Sequence, residues 1–343
     1  MSGEQRPWKA RQILSSALPN SPLEQLGACL AVDEHRAERL LEAIDRGAVD
    51  WARLFHYAGH HLVTPSLASS LQRKHIFDRL PPKVQEYLLA VQALNGARNR
   101  TLKQELVRIA AALNRVDICP IILKGGIALM PGQYPGAEDR VIGDLDILIP
   151  AHRLDDAKAA VSTIEYRDAQ DAWRWMTRKS RQEMHHAIPM IHPTLPVSIE
   201  FHHRILHDRN DASILMAKMK TNTLCLDEGS TVLLPAPPTR LLHNFLHAQI
   251  TNGQAPRRTL NMRHLLEFSA LSAHCRDQLD HDALQAGLQQ RRLPLLAEYW
   301  AQAERWLGAA YPDQLPRSPH QKRELWLVEA VFTSRPWFLV FLP

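Results

Sequence analysis

The sequence predicts an α+β protein, a mixed β-sheet core flanked by N-terminal and C-terminal helical regions. Three observations carry this. Apolar residues at helical spacing fill the chain up to about residue 115, with Leu102, Leu106, Ile109 and Leu113 the clearest run. Short apolar runs broken by Gly and Pro occupy residues 116–234, which suits strands and turns. Helical patterns return after Pro235-Ala-Pro237-Pro238. The expected division is therefore 1–115, 116–234 and 235–343.

Taken in order, Ser21-Pro22-Leu23-Glu24 is a capping box with proline at the first helical position. Gly47 ends a helix rich in Glu, Arg and Leu, and Asp50 caps the next, WARLFHYAGHHL, which Pro65 interrupts. Pro81-Pro82 opens a long helix leading toward Cys119–Leu123, a short apolar run that suits a buried strand. Gly125-Gly126 breaks that run, IALM suits a short helix stopping near Pro131-Gly132, and GQYPGAEDRVIG is a loop. From Asp144 to Ile149 residues alternate, placing Asp144, Asp146 and Leu148 on one face and Leu145, Ile147 and Ile149 on the other. A helix is expected from about Leu154 to Ile164. Met184–His192, the turn Pro193–Pro196 and Val197–His203 read as a β-hairpin, with Ser198, Glu200 and His202 sharing a face of its second strand.

Composition narrows the class. With 343 residues, 45% hydrophobic and 22% charged, the chain fits a soluble globular protein of more than one packed unit. The polar N-terminus has no signal-type apolar run, and no stretch approaches a membrane span. Cys29, Cys119, Cys225 and Cys275 form no CxxC pair, so a disulfide framework or zinc knuckle is not expected and a reducing cytoplasm is. A net charge of +5 leans toward anionic partners, although the basic residues are spread without a block. The apolar stretch from Trp337 to Leu342 reads as a docked tail or a contact surface, which allows a homo-oligomer.

The stretch IILKGGIALMPGQYPGAEDRVIGDLDILI, residues 121–149, carries the chemistry. Glycine lets backbone N–H groups approach a phosphate closely. Two carboxylates at i, i+2 on a strand project from one face and can hold Mg²⁺, a hard cation, with Mn²⁺ an alternative. A third carboxylate from a neighbouring strand completes such a site. Asp144, Asp146 and Glu200 are the expected metal ligands and catalytic groups. Gly125, Gly126, Lys124, Arg140 and His202 are expected to contact the bound nucleotide.

This arrangement resembles the DNA-polymerase-β-like nucleotidyltransferase superfamily: Leu123 to Gly126, then Asp144-Leu145-Asp146, then a later acidic Glu200. It is similar, more closely, to a bacterial family of uncharacterised nucleotidyltransferases, through Leu123-Lys124-Gly125, Tyr134-Pro135, Arg140 ahead of the DxD, and Glu200-Phe201-His202. The resemblance covers most of residues 50–270. The gap from Gly126 to Asp144 is longer than in compact members of the superfamily. What the resemblance implies is two-metal transfer of a nucleoside monophosphate, AMP from ATP, to a small-molecule, peptide or protein acceptor. An RNA end-modifying enzyme or a silent nucleotide-binding module is the alternative. Outside this pattern, His243 and His247 stand i, i+4, but Asn244 follows the first, so a zinc-protease site is not expected. Arg257, Arg258 and Arg263 could line the cleft from the C-terminal helices, and a solvated face is the favoured reading. Trp173 and Trp175, amid arginines, read as a packed surface loop.

Overall fold

The computed structural model describes residues 21–31, 34–133, 136–169, 184–278, 284 and 286–334. Tyr134-Pro135, the Trp173/Trp175 segment and the tail from Trp337 lie outside these residues.

The N-terminal helices are α1 (Pro22–Leu30), α2 (Glu34–Asp45), α3 (Trp51–His60), α4 (Thr64–Arg73) and α5 (Pro82–Asn114). Their starts follow the capping chemistry: the Ser21 side chain accepts from the Glu24 N–H, and Asp50 accepts from the Arg53 N–H. Gly47, just beyond α2, has φ +65°, a left-handed conformation that glycine adopts without a Cβ penalty.

A seven-stranded mixed sheet follows: β1 (Ile121–Ile122), β2 (Leu145–Leu148), β3 (Arg167–Asp168), β4 (Met190–Ile191), β5 (Ser198–His202), β6 (Thr221–Cys225) and β7 (Thr231–Pro235). Its spatial order is β3-β4-β5-β2-β1-β7-β6, with β2–β5 and β1–β7 parallel and the other pairs antiparallel. The expected hairpin exists as β4–β5. The strand expected from Asp144 begins at Leu145, so Asp144 sits on the bend that enters β2. The helix expected from IALM begins earlier, as a 3₁₀ segment at Lys124–Leu129. Between strands come α6 (Leu154–Ser162) and α7 (Arg209–Ala217), and after them α8 (Pro237–Leu246), α9 (Met262–His274), α10 (Leu293–Leu307) and α11 (Gln321–Ser334). Among the described residues no helix is long and apolar enough to cross a membrane.

Two cores lie on opposite faces of the sheet, and β2 divides them. Leu145, Ile147 and Ile149 pack with Leu102, Leu106, Ile109 and Leu113 of α5 and with Val161 of α6. Leu148 packs on the other side, in a core that unites Leu23, Leu67 and Leu88 of the N-terminal helices with Phe245, Phe268, Trp300 and Trp306 of the C-terminal ones. All four β2 residues are buried. Asp146 is therefore a carboxylate placed between two apolar layers, which is costly without a partner.

The two helical ends meet closely at Gly27. A Cβ there would fall on the Trp306 carbonyl oxygen, so α1 and α10 approach backbone to side-chain-less backbone. Gly27→Ala is expected to destabilise the fold by about 1–3 kcal/mol, the usual cost of overpacking. A denaturant midpoint unchanged from the parent would contradict this packing.

Candidate functional site

The loop that delivers Asp144 is held by α5. Asn95 donates to the carbonyls of Glu138 (2.6 Å) and Arg140 (3.1 Å), and Asn99 donates to those of Ala137 (2.6 Å) and Arg140 (2.7 Å). Arg98 donates to the carbonyls of Ile142 and Gly143. Buried loop carbonyls need donors, and this polar patch in the middle of an amphipathic helix supplies them. Gly96 keeps the approach open, since a Cβ there would lie 3.1 Å from Cβ of Glu138.

Strand register then assembles the acidic groups. Asp146 on β2 stands directly beside Glu200 on β5. His202 lies two residues on, so its ring shares the Glu200 face. Its Nε2 is 2.7 Å from Oδ1 of Asp146 and 3.6 Å from Oε2 of Glu200. One donor atom from each of Asp146, Glu200 and His202 lies within 4.8 Å of the others, a spacing that suits one cation. Asp144 is outside this compact trio and borders the adjoining cavity instead. The donor set of two carboxylates and an imidazole fits a divalent metal ion.

Lys124 places its ammonium 2.6 Å from the same Asp146 oxygen. Its backbone is left-handed, φ +45°, a conformation that costs a non-glycine residue about 1–3 kcal/mol and recurs at functional sites. The Leu123 N–H donates to the Asp146 carbonyl at 2.9 Å, which ties this turn to β2. The two glycines part company. Gly125 lines the cavity, whereas a Cβ on Gly126 would sit 2.9 Å from Cγ2 of Ile122, so Gly126 allows close packing under the turn.

Charge is distributed unequally over the two aspartates. Burial would raise the Asp146 carboxyl, but Lys124 and the His202 hydrogen bond outweigh it and hold it well below the usual range. Burial, with Asp146 and Glu200 nearby, pushes Asp144 up to about 6. Burial opposes protonation of His202, yet its hydrogen bond to Asp146 and the nearby Glu200 carboxylate prevail and raise its pKa. For Glu200, burial is outweighed by the nearby His202 and by His186, and its pKa falls.

The cavity beside these groups has a volume of about 310 Å³. Lys124, Gly125, Asp144 and Asp146 line one side; Arg140, Arg240, His243, His247, Arg263 and Glu267 are among the residues lining the rest. The C-terminal helices supply most of that second wall. Of the three arginines for which a solvated face was favoured over the cleft, Arg263, near the start of α9, lines the cavity. Arg258 instead pairs with Glu324 at 3.1 Å, and Arg257 donates to the Asn252 carbonyl. A π-helical turn at His247–Thr251 ends α8 next to the cavity and carries His247 into its wall, a backbone irregularity frequent at functional sites. His243 and His247 thus face the cleft.

Sequence reading missed the loop-holding role of Asn95, Arg98 and Asn99, and missed Arg240 and Glu267 altogether. Asn95, Arg98 and Asn99, spaced i, i+3 and i+4 on one face of α5, were the available signal for the first group. Nothing local marks the second.

No curated protein and no solved structure matches the chain. The model of a family described as uncharacterised nucleotidyltransferase matches residues 47–308, a span from α3 into the end of α10 that contains every cavity and trio residue above. The chain belongs to this nucleotidyltransferase family.

Proposed function

We propose that the protein transfers a nucleoside monophosphate, AMP from ATP, to a hydroxyl or similar group of a small-molecule, peptide or protein acceptor, with Mg²⁺ or Mn²⁺ as cofactor. The observation that carries this is the register of Asp146 beside Glu200, with Asp144, Lys124 and Gly125 around one cavity in a member of a nucleotidyltransferase family.

In this reading Asp146 and Glu200 would hold one divalent ion, with His202 either joining them or orienting Asp146, and Asp144 would help hold a second. Bound there, a divalent cation supplies positive charge to the triphosphate. The protein groups do the rest. Lys124, kept charged because its contacts with Asp146 and Asp144 outweigh burial, balances the carboxylates and lies close to Gly125, whose N–H is the expected phosphate contact. Glu200, held ionised, accepts the proton of the acceptor hydroxyl. The acceptor oxygen bonds to the α-phosphorus, the bond from that phosphorus to the bridging oxygen breaks, and pyrophosphate leaves. Arg140 lines the same cavity, paired with Glu267 at 2.9 Å, and would meet the charge of the triphosphate.

The test is pyrophosphate release from ATP with Mg²⁺ across acceptor pools fractionated by size. Release by the parent that Glu200→Gln lowers about a hundredfold or more supports the reading. Release that Glu200→Gln leaves untouched contradicts it.

An imidazole in the donor set favours first-row transition ions relative to Mg²⁺. Mn²⁺ is therefore expected to bind more tightly than Mg²⁺, by electron paramagnetic resonance titration with Mg²⁺ competition. His202→Gln should shrink that preference several-fold. An unchanged preference would make His202 a partner of Asp146 only.

A further inference from the structure

The wall opposite the carboxylates is over-supplied with positive charge. Arg140, Arg240 and Arg263 all line it, and Glu267 is its single carboxylate. That carboxylate is engaged by Arg140 at 2.9 Å, with the two side chains only 6% and 17% exposed. Arg240 donates to a neutral partner, Oε1 of Gln133, at 2.6 Å. Arg263 reaches the Val141 carbonyl at 3.4 Å, and its buried Nε has no hydrogen-bond partner among the described residues. Guanidinium groups stay protonated in proteins, and Arg263 does so here although burial and Arg140 bring its pKa down to about 10. Burial likewise lowers Arg240, with Glu267 working against it.

Desolvated cations without a counter-charge are costly, and an orphaned donor adds to that cost. The facing carboxylates, Asp144 and Asp146, are spoken for by Lys124, by His202 and, in the proposed reaction, by metal. Among the described residues, no carboxylate pairs directly with either Arg240 or Arg263. The chain's own fold pre-forms this arrangement: Arg240 comes from α8, Arg263 from α9 and Arg140 from the loop tied to α5.

We infer that Arg240 and Arg263, beside the Arg140–Glu267 pair, form an anion subsite that binds a phosphoryl group of two or more negative charges. The fork of a guanidinium matches phosphate oxygens bidentately, and two forks from different helices suit a polyphosphate or a phosphate monoester. This deepens the transfer reading and rests on it only for which anion is bound: the polyphosphate tail of the donor, or a phosphate carried by the acceptor.

The experiment is calorimetric titration of the full chain in EDTA with inorganic tripolyphosphate in one arm and inorganic phosphate in the other. Without metal or nucleotide, binding reports on the arginine wall and not on transfer. The parent is expected to bind with a salt-dependent affinity. Arg240→Gln and Arg263→Gln should each weaken binding about tenfold, and Arg240→Lys and Arg263→Lys should recover part of it. Tripolyphosphate binding far more tightly than phosphate identifies the donor tail; comparable affinities identify an acceptor phosphate. Absence of binding in both arms, or folded Gln variants that bind as tightly as the parent, overturns the subsite. Thermal unfolding of each variant establishes that it is folded.

Discussion

Asp144→Asn and Asp146→Asn are each expected to reduce nucleotidyl transfer on the order of a thousandfold, about 4 kcal/mol of transition-state stabilisation. Their effects on stability should be opposite in sign. Asp146 is buried against Lys124 at 2.6 Å and His202 at 2.7 Å, so removing its charge strands two buried partners. Breaking one side of such a pair costs about 3–5 kcal/mol. Asp144 is in the reverse position. Burial and its acidic neighbours raise its carboxyl to about 6, which means the fold disfavours the ionised form present at neutral pH. The sign follows from linkage: a carboxyl raised in the folded state stabilises below its ordinary pKa, and that stability is lost as pH rises through about 6. Asp144→Asn removes the penalty, and a metal-free protein gaining about 1–3 kcal/mol at pH 7.5 is the expected result. Urea unfolding in EDTA, alongside the transfer assay, checks both halves. An Asp144→Asn protein that is less stable than the parent would contradict this electrostatic account of the site.

The second large effect is acid unfolding that begins just below pH 6.5. Five histidines are held neutral: His61, His185, His243 and His264 are buried, and His247 is partly buried in the cavity wall. Burial first, then neighbouring positive charge, lowers His61 and His243 to about 3, and lowers His185, His247 and His264 as well. A histidine depressed in the folded state contributes stability that is intact above the unfolded pKa. That contribution is lost as pH falls below 6.5, at up to about 1.4 kcal/mol per pH unit for each group. Asp144 acts the other way between about 6 and its ordinary value, as does the raised His202 above 6.5, but these are two groups against five. The net loss from pH 7.5 to 5.5 is expected to be about 5 kcal/mol, comparable with the whole stability of many domains. Guanidinium unfolding midpoints from pH 8 to 5 measure it. A flat midpoint down to pH 5 would mean these rings are not held neutral in the fold.

Much of the site was legible because its chemistry is local. Lys124-Gly125-Gly126 and Asp144-Leu145-Asp146 announce themselves by residue type and spacing, and the alternation of Ser198 to His202 puts Glu200 on the expected strand face. The helix starts at Ser21, Asp50 and Pro82 were readable for the same reason, since a cap is a contact between near neighbours.

What escaped notice depends on distance in the chain. Glu200 was expected as the third carboxylate, but that it stands beside Asp146 and not Asp144 is a matter of register between distant parallel strands, which only the sheet decides. The sequence suggested two separate helical regions, yet Leu23 and Trp306 lie in one core, because each end offers an apolar face that the other covers. The three arginines Arg257, Arg258 and Arg263 could face either the cleft or solvent, and only the packed structure separates them, with Arg263 lining the cavity. His202 was expected near the nucleotide, and the pleat set it within hydrogen-bond distance of Asp146.

The central claim is that this cavity breaks the bond beyond the α-phosphorus of a nucleoside triphosphate. Parallel incubations with ATP labelled at the α- or the γ-phosphorus, with Mg²⁺ or Mn²⁺ and candidate acceptors, test it most directly. The account predicts metal-dependent incorporation of the α label alone, with the γ label recovered in pyrophosphate, and loss of both signals in Asp146→Asn. Transfer of the γ label to the acceptor, or α incorporation that survives Asp146→Asn, would contradict it.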